Sequence, residues 1–342
     1  MALSAAVRGI EYFLPDNVLT NQRLAGQFPD WTAQKILDKT GISERRLAAP
    51  DECASDLAVK ACLKLFAAGH CSSADVDFIL LCTQSPDYFL PTTACLLQDR
   101  LGIPNSAGAL DFNLGCSGFV YGLALAKGLV ETGQAANILL ITAETYSKLL
   151  HAEDKSVRTV FGDAGAATLV GRSERVASDP EALGPFVFGT DGSGAENLIV
   201  RAGASRPAPD NPANPGPDGC PRTFANLYMN GPEIFSFTLK VVPTLVRDLL
   251  ARANKRAEDI DLFVFHQANR FMLEHLRKRL RIPEAKFYLS MEFTGNTVSC
   301  TIPIALANAA RDGTLKRGAT VMLVGFGVGY SWGACLMRWL GA

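Results

Sequence analysis

Cys116 lies in Leu114-Gly115-Cys116-Ser117-Gly118-Phe119, where a short apolar run ends, a glycine follows and small residues open an apolar helical pattern. The pattern reads as strand, sharp turn and helix, with the thiol at or near the helix N-terminus. The first N–H groups of a helix lack intrahelical partners, and that end carries partial positive charge. A thiol there is expected to have a stabilised thiolate and a lowered pKa, and the same N–H groups can hold a developing oxyanion. His266 follows directly on Leu262-Phe263-Val264-Phe265, and a strand end is where α/β folds present side chains to ligands. Asn296 stands in Thr294-Gly295-Asn296-Thr297, at a glycine that opens another helical pattern. A fourth stretch, Val324-Gly325-Phe326-Gly327-Val328-Gly329-Tyr330-Ser331-Trp332-Gly333, follows a strand pattern, and its glycines let backbone N–H groups approach a ligand closely. It lacks the helix and the acidic residue of a dinucleotide fingerprint. Each of the four has an ordinary structural alternative: a buried thiol, a hydrogen-bonded core histidine, a helix N-cap and a tight β-turn.

The elements that must position these residues alternate between strand and helix. Continuous apolar runs at 78–82, 138–141, 262–265 and 321–324 suit strands buried on both faces, and helical patterns cover 55–68, 118–132, 234–254 and 271–280. This is an α/β chain with helices covering mixed or parallel sheets. It also carries an internal duplication. Ala74-Asp75-Val76-Asp77-Phe78-Ile79-Leu80-Leu81 is echoed by Glu258-Asp259-Ile260-Asp261-Leu262-Phe263-Val264-Phe265 at an offset of 184, and Asn137-Ile138-Leu139-Leu140 by Thr320-Val321-Met322-Leu323 at 183. Two similar halves, 1–173 and 174–342, would place Cys116 and Asn296 at equivalent helix starts, with a site where the halves meet.

The chain has 342 residues, 48% of them hydrophobic, and a net charge of -1, enough for a large core. The near-zero charge gives no support for binding nucleic acid or a membrane through bulk electrostatics. No signal-peptide pattern opens the chain, and no apolar run reaches the roughly 18 residues of a membrane span. Nine cysteines, an odd number without a CxxC pair, fit reduced thiols in a cytoplasmic protein better than a disulfide framework or a zinc site. Residues 202–222 hold six of the 18 prolines and read as an irregular loop or linker.

Taken together, these motifs resemble those of β-ketoacyl-acyl carrier protein synthase III, of the thiolase superfamily. The matching runs are Gly115-Cys116-Ser117-Gly118-Phe119, Phe161-Gly162-Asp163-Ala164-Gly165, Gly189-Thr190-Asp191-Gly192-Ser193-Gly194, His266-Gln267-Ala268-Asn269, Gly295-Asn296-Thr297 and the glycine-rich run ending at Gly333. The resemblance implies a thiolase-like fold of two pseudo-symmetric halves in five αβαβα layers, and a homodimer. It implies that Cys116 is acylated by an acyl thioester, usually acyl-CoA, with its oxyanion held by the N–H groups of Cys116 and Val328. His266 and Asn296 would then bind malonyl-acyl carrier protein and stabilise the carbanion left by decarboxylation. No metal or redox cofactor is implied.

By the same resemblance, Leu90 would border the acyl pocket across the dimer interface, where the family often carries Phe, and would leave it roomier. Lys35, Lys39, Lys155, Arg270, Lys278 and Arg279 stand where the family meets CoA or the acidic carrier protein. Lys35 replaces a tryptophan that stacks on the CoA adenine in relatives, Lys39 replaces an arginine, and Phe271 stands in place of a carrier-binding arginine. Other readings are a starter enzyme or acyltransferase of a polyketide, quinolone or biotin-precursor pathway, and a silent acyl-binding partner subunit. The intact Cys116, His266 and Asn296 disfavour the last.

Overall fold

The computed structural model describes residues 3–173, 181–207 and 219–341. The boundary expected at 173/174 therefore abuts residues outside the description, as do residues 208–218 of the irregular stretch. In the first half run β1 (Ala5–Phe13), β2 (Asn17–Thr20), α1 (Asn21–Gln27), α2 (Ala33–Thr40), β3 (Glu44–Leu47), α3 (Ala54–Ala67), β4 (Phe78–Cys82), α4 (Thr93–Arg100), β5 (Gly108–Phe112), α5 (Gly118–Glu131), β6 (Asn137–Glu144), α6 (Lys155–Arg158) and β7 (Ala164–Arg172). The second half contains β8 (Leu183–Thr190), β9 (Leu198–Ile199), β10 (Tyr228–Met229), α7 (Gly231–Arg252), β11 (Leu262–Phe265), α8 (Arg270–Arg279), α9 (Thr301–Arg311), β12 (Thr320–Gly327) and β13 (Ser331–Arg338).

Two sheets carry the fold, in the orders β1-β7-β6-β4-β5 and β11-β12-β13-β8. Their topologies match strand for strand. β4 and β6 pair in parallel as β11 and β12 do, and β7 and β13 each return antiparallel to meet β1 and β8. Even the partner of β4 on its other side, β5, has a remnant counterpart in the single parallel bridge between Phe263 and Phe287. The repeated Asp-x-Asp has a cause. Asp77 Oδ2 accepts the N–H groups of Ala136 and Asn137 at the start of β6, and Asp261 Oδ2 accepts that of Thr320 at the start of β12. The first Asp of each copy, Asp75 or Asp259, accepts the backbone N–H three residues earlier and closes the preceding turn.

Alternation along the strands explains the unbroken apolar runs. Ile138 and Leu140 face α5 and α9 in a central core, and Leu139 and Ile141 face α3 and α4 outside. In the second sheet Val321 and Leu323 join the same central core, and Met322 and Val324 pack under α7 and α8. The layers are thus helices, sheet, α5 with α9, sheet, helices, the five-layered thiolase-like arrangement. One local expectation is revised. The glycine-rich run does not follow a strand: it spans the end of β12, the turn at Val328-Gly329-Tyr330 and the start of β13.

Candidate active site

The turn between β5 and α5 carries Cys116. Its tightness comes from the Gly118 N–H bonding Gly115 O at 2.8 Å, and Ser117 forms the N-cap. Glycines let a second backbone close over it. A Cβ on Gly327 would lie 2.7 Å from Cys116 Cβ and 2.8 Å from its Sγ, and one on Gly325 would lie 2.7 Å from Ser117 Cα. A 2.6 Å contact between the Ser117 and Ser331 hydroxyls ties the turn to the β12–β13 hairpin. The N–H groups of Val328 and of Cys116 itself thereby reach the sulfur.

His266 follows β11, its N–H bonding Val324 O at 2.8 Å. Its Nδ1 lies 2.7 Å from Thr301 Oγ1, and Phe326 meets the ring edge-on with centroids 5.6 Å apart. The other members of its motif are structural: Gln267 bonds Phe265 O and the Ser290 N–H, and Asn269 caps α8. Asn296 is locked to the first half, its N–H bonding Val160 O and its O accepting the Gly162 N–H. It does not sit at the start of α9. A short 3-10 turn, Val298–Cys300, intervenes, and Asn296 Oδ1 accepts the Val298 N–H at 2.9 Å. That bond fixes the amide orientation and turns the NH₂ end toward the cavity. Val298 holds φ at 55°, a left-handed conformation costly for a β-branched residue by about 1–3 kcal/mol.

Cys116, His266 and Asn296 line one cavity of about 550 Å³, open mouth included. Its walls are apolar: Val160, Phe161, Leu198, Met229, Ile234 and Met272. Burial sets the electrostatics. It pushes the Cys116 thiol up to about 12, with Glu144 adding to the shift and the Val328 and Cys116 N–H groups opposing it. The lowered pKa expected of a thiol before a helix is thus overturned, because desolvation of the thiolate outweighs those donors. Burial likewise lowers the His266 imidazole to about 3, so the site at rest holds a neutral thiol and a neutral ring.

Glu144 went unnoticed in the sequence. It ends β6 fully buried, accepts from Ser299 Oγ at 2.7 Å, Gln84 N at 3.0 Å and Ser85 Oγ at 3.2 Å, and is pushed up to about 8 by burial. An acidic residue closing the apolar run Ile138-Leu139-Leu140-Ile141 was the available signal.

The remaining expected residues lie apart from the cavity. Leu90 does not border it: with Tyr88 and Phe89 it forms an exposed apolar loop, Leu90 being 74% accessible. Lys35 and Lys39 lie over the ring of Trp31, at 5.6 and 5.2 Å, and Lys155 stands 3.9 Å from the Asp30 carboxylate. Trp31, four residues before Lys35, is an aromatic surface beside these cations. Arg270 packs against Gly41 and pairs with Glu292 at 3.0 Å, and Lys278 and Arg279 are exposed in the last turn of α8.

A family model described as 3-oxoacyl-[acyl-carrier-protein (ACP)] synthase III matches residues 110–192, and the model of its C-terminal part matches residues 250–339. The β-ketoacyl-[acyl-carrier-protein] synthase III of Caldanaerobacter subterraneus subsp. tengcongensis is 37% identical over 338 residues, 98% of each chain. A crystal structure of a 3-oxoacyl-(acyl-carrier-protein) synthase III, 57% identical, superposes with a TM-score of 0.95 over 98% of this chain and 100% of that chain. The 3-oxoacyl-(acyl-carrier protein) synthase from Burkholderia xenovorans LB400 is 35% identical, with a TM-score of 0.91 over 99% of this chain and 95% of that one.

The raised Cys116 pKa has a direct readout. Alkylation by iodoacetamide, followed by peptide mapping, should speed up about tenfold per pH unit from pH 7 to 10, because only the thiolate reacts. A rate that levels off by about pH 8 would mean that the helix end, not burial, governs the thiol.

Proposed function

The chain belongs to the 3-oxoacyl-[acyl-carrier-protein] synthase III family, and we propose that it joins an acyl thioester primer to malonyl-acyl carrier protein with loss of carbon dioxide. The product is a β-ketoacyl thioester, and the enzyme is an acyltransferase of fatty-acid biosynthesis. One observation carries the assignment of roles: a thiol, a neutral imidazole and a carboxamide meet in one apolar cavity, with two backbone N–H groups at the sulfur. Cys116 attacks the primer carbonyl and becomes acylated. The N–H groups of Cys116 and Val328 hold the tetrahedral oxyanion, a kind of contact worth about 2.7–4 kcal/mol per donor. His266 and Asn296 hold the malonyl thioester oxygen as carbon dioxide departs, and the enolate attacks the acyl carbonyl. The apolar walls favour this chemistry, because hydrogen bonds to developing charge are stronger where water is excluded.

Acyl-CoA is the proposed primer donor. Lys35 and Lys39 over Trp31, with Lys155 near Asp30, offer cations and an aromatic face suited to a nucleotide with phosphates, and Arg270, Lys278 and Arg279 offer a basic helix to the acidic carrier protein. A cytoplasmic location suits those substrates. Among the described residues no helix is long and apolar enough to cross a membrane. A homodimer accounts for a run of exposed apolar side chains. Tyr88, Phe89 and Leu90 project from their loop, Leu110 lies on the edge strand β5, Leu125 on α5 and Phe188 on β8. Monomers seldom leave so much apolar surface beside an open sheet edge. In the dimer, Leu90 of one copy would border the acyl pocket of the other.

Incubation with an acyl-CoA should add the acyl mass to the Cys116 peptide. Asn296→Ala should keep that labelling while slowing malonyl decarboxylation about 10²–10³-fold, the usual effect of losing one oxyanion donor. Equal loss of both half-reactions in a folded variant would contradict the division.

Sedimentation should give a dimer, and Leu90→Phe should narrow the range of acetyl to octanoyl donors toward the short end, through overpacking of about 1–3 kcal/mol. A monomer with an unchanged donor profile would remove Leu90 from the pocket.

A further inference from the structure

We propose that Thr301 fixes His266 as the Nδ1–H tautomer and thereby makes Nε2 the base that receives the Cys116 proton. The proposal rests on the condensing reading of the site and adds a positioning residue to it. His266 and Thr301 are both buried, with Nδ1 and Oγ1 2.7 Å apart. The Thr301 hydroxyl also lies 3.1 Å from Val298 O. A hydroxyl has one proton, and a carbonyl oxygen can only accept, so that proton is directed to Val298 O. Oγ1 is left to accept from the ring, and Nδ1 carries the ring proton. A neutral imidazole has a single N–H, and burial keeps this one neutral. Nε2 is therefore a bare acceptor on the ring that lines the Cys116 cavity. The left-handed Val298 serves both polar groups at once, giving its N–H to Asn296 Oδ1 and its carbonyl to Thr301.

This tautomer needs no exchange during the reaction. As Sγ bonds to the primer carbonyl, the Sγ–H proton passes to Nε2. The primer C–S bond breaks, and the departing thiolate takes a proton from water. His266 now holds two N–H groups, and the malonyl carboxylate brings the opposite charge. Nε2–H and the Asn296 NH₂ donate to the malonyl thioester oxygen. The bond to the carboxylate breaks, carbon dioxide leaves, and the electron pair forms the enolate. The enolate attacks the acyl carbonyl, Cys116 departs as thiolate, and it recovers its proton from Nε2. One proton from water is consumed per turnover, and Nδ1 keeps its proton and its Thr301 partner throughout.

The test joins spectroscopy to single-turnover kinetics on the intact protein. With ¹⁵N-labelled histidine, and His266→Gln to identify the signals, the resting enzyme should show a protonated Nδ1 and an unprotonated Nε2. Thr301→Ser should keep that pattern, and Thr301→Val should move protonation toward Nε2. Acylation of Cys116 by acyl-CoA should slow about 10²-fold or more in Thr301→Val, the scale of losing a correctly protonated imidazole base, and stay within about threefold in Thr301→Ser. A resting enzyme protonated at Nε2, or a Thr301→Val variant that acylates at the parental rate, overturns the proposal. The spectrum of the parent decides the tautomer even if Thr301→Val does not fold. A parent with the expected tautomer that takes no acyl label overturns the condensing reading, and the base role with it.

Discussion

The contact between the β12–β13 hairpin and the Cys116 turn is the constraint on which the site depends. Backbone meets backbone there, because Gly325 and Gly327 present no side chain to Cys116 and Ser117. Only that approach brings the Val328 N–H to the sulfur of a residue from the other sheet's half. The central layer makes the approach reproducible. α5 and α9 share one core with the inner faces of both sheets, so the two halves cannot shift against each other without opening that core. Asn296, bonded through its backbone to Val160 and Gly162, ties the two halves together as well.

Burial then decides the chemistry available at the seam. In water a thiol beside a helix end would gain from the partial positive charge, but here the thiolate would lose its hydration first. The thiol and the imidazole rest neutral, and Glu144 is pushed up beside them. The two reacting groups thus carry no charge at rest. The site offers fixed donors instead, which act most strongly on charge that appears only in the transition state. The strained Val298 belongs to the same economy: its conformation holds Asn296 and Thr301 in place.

Much of this was legible in the sequence because it is local. The unbroken apolar runs at 138–141 and 321–324 marked strands buried on both faces. The repeated Asp-x-Asp marked a duplicated strand start, and Asp77 and Asp261 do the same work. Cys116 and Asn296 stood out because each follows a glycine that opens a helical pattern, and His266 because it ends an apolar strand run. What was not legible depends on distant parts of the chain. The direction of the Cys116 shift follows from how deeply the turn is covered, which no local pattern encodes. Glu144 and Thr301 act through contacts 155 and 35 residues away, with Ser299 and His266 respectively. Leu90 lies at the surface of the single chain, and its place in a site waits on a second copy.

The close approach at Gly327 is the claim to test most directly. Gly327→Ala would put a Cβ within 2.8 Å of the Cys116 sulfur and force the hairpin off the turn. Gly128→Ala on α5, where a Cβ would meet nothing within 4 Å, serves as the control. The rate of Cys116 acylation should fall about 10²-fold or more in Gly327→Ala, the scale of losing one oxyanion donor, with the protein still folded and Gly128→Ala at the parental rate. A folded Gly327→Ala enzyme that acylates as fast as the parent would contradict the account.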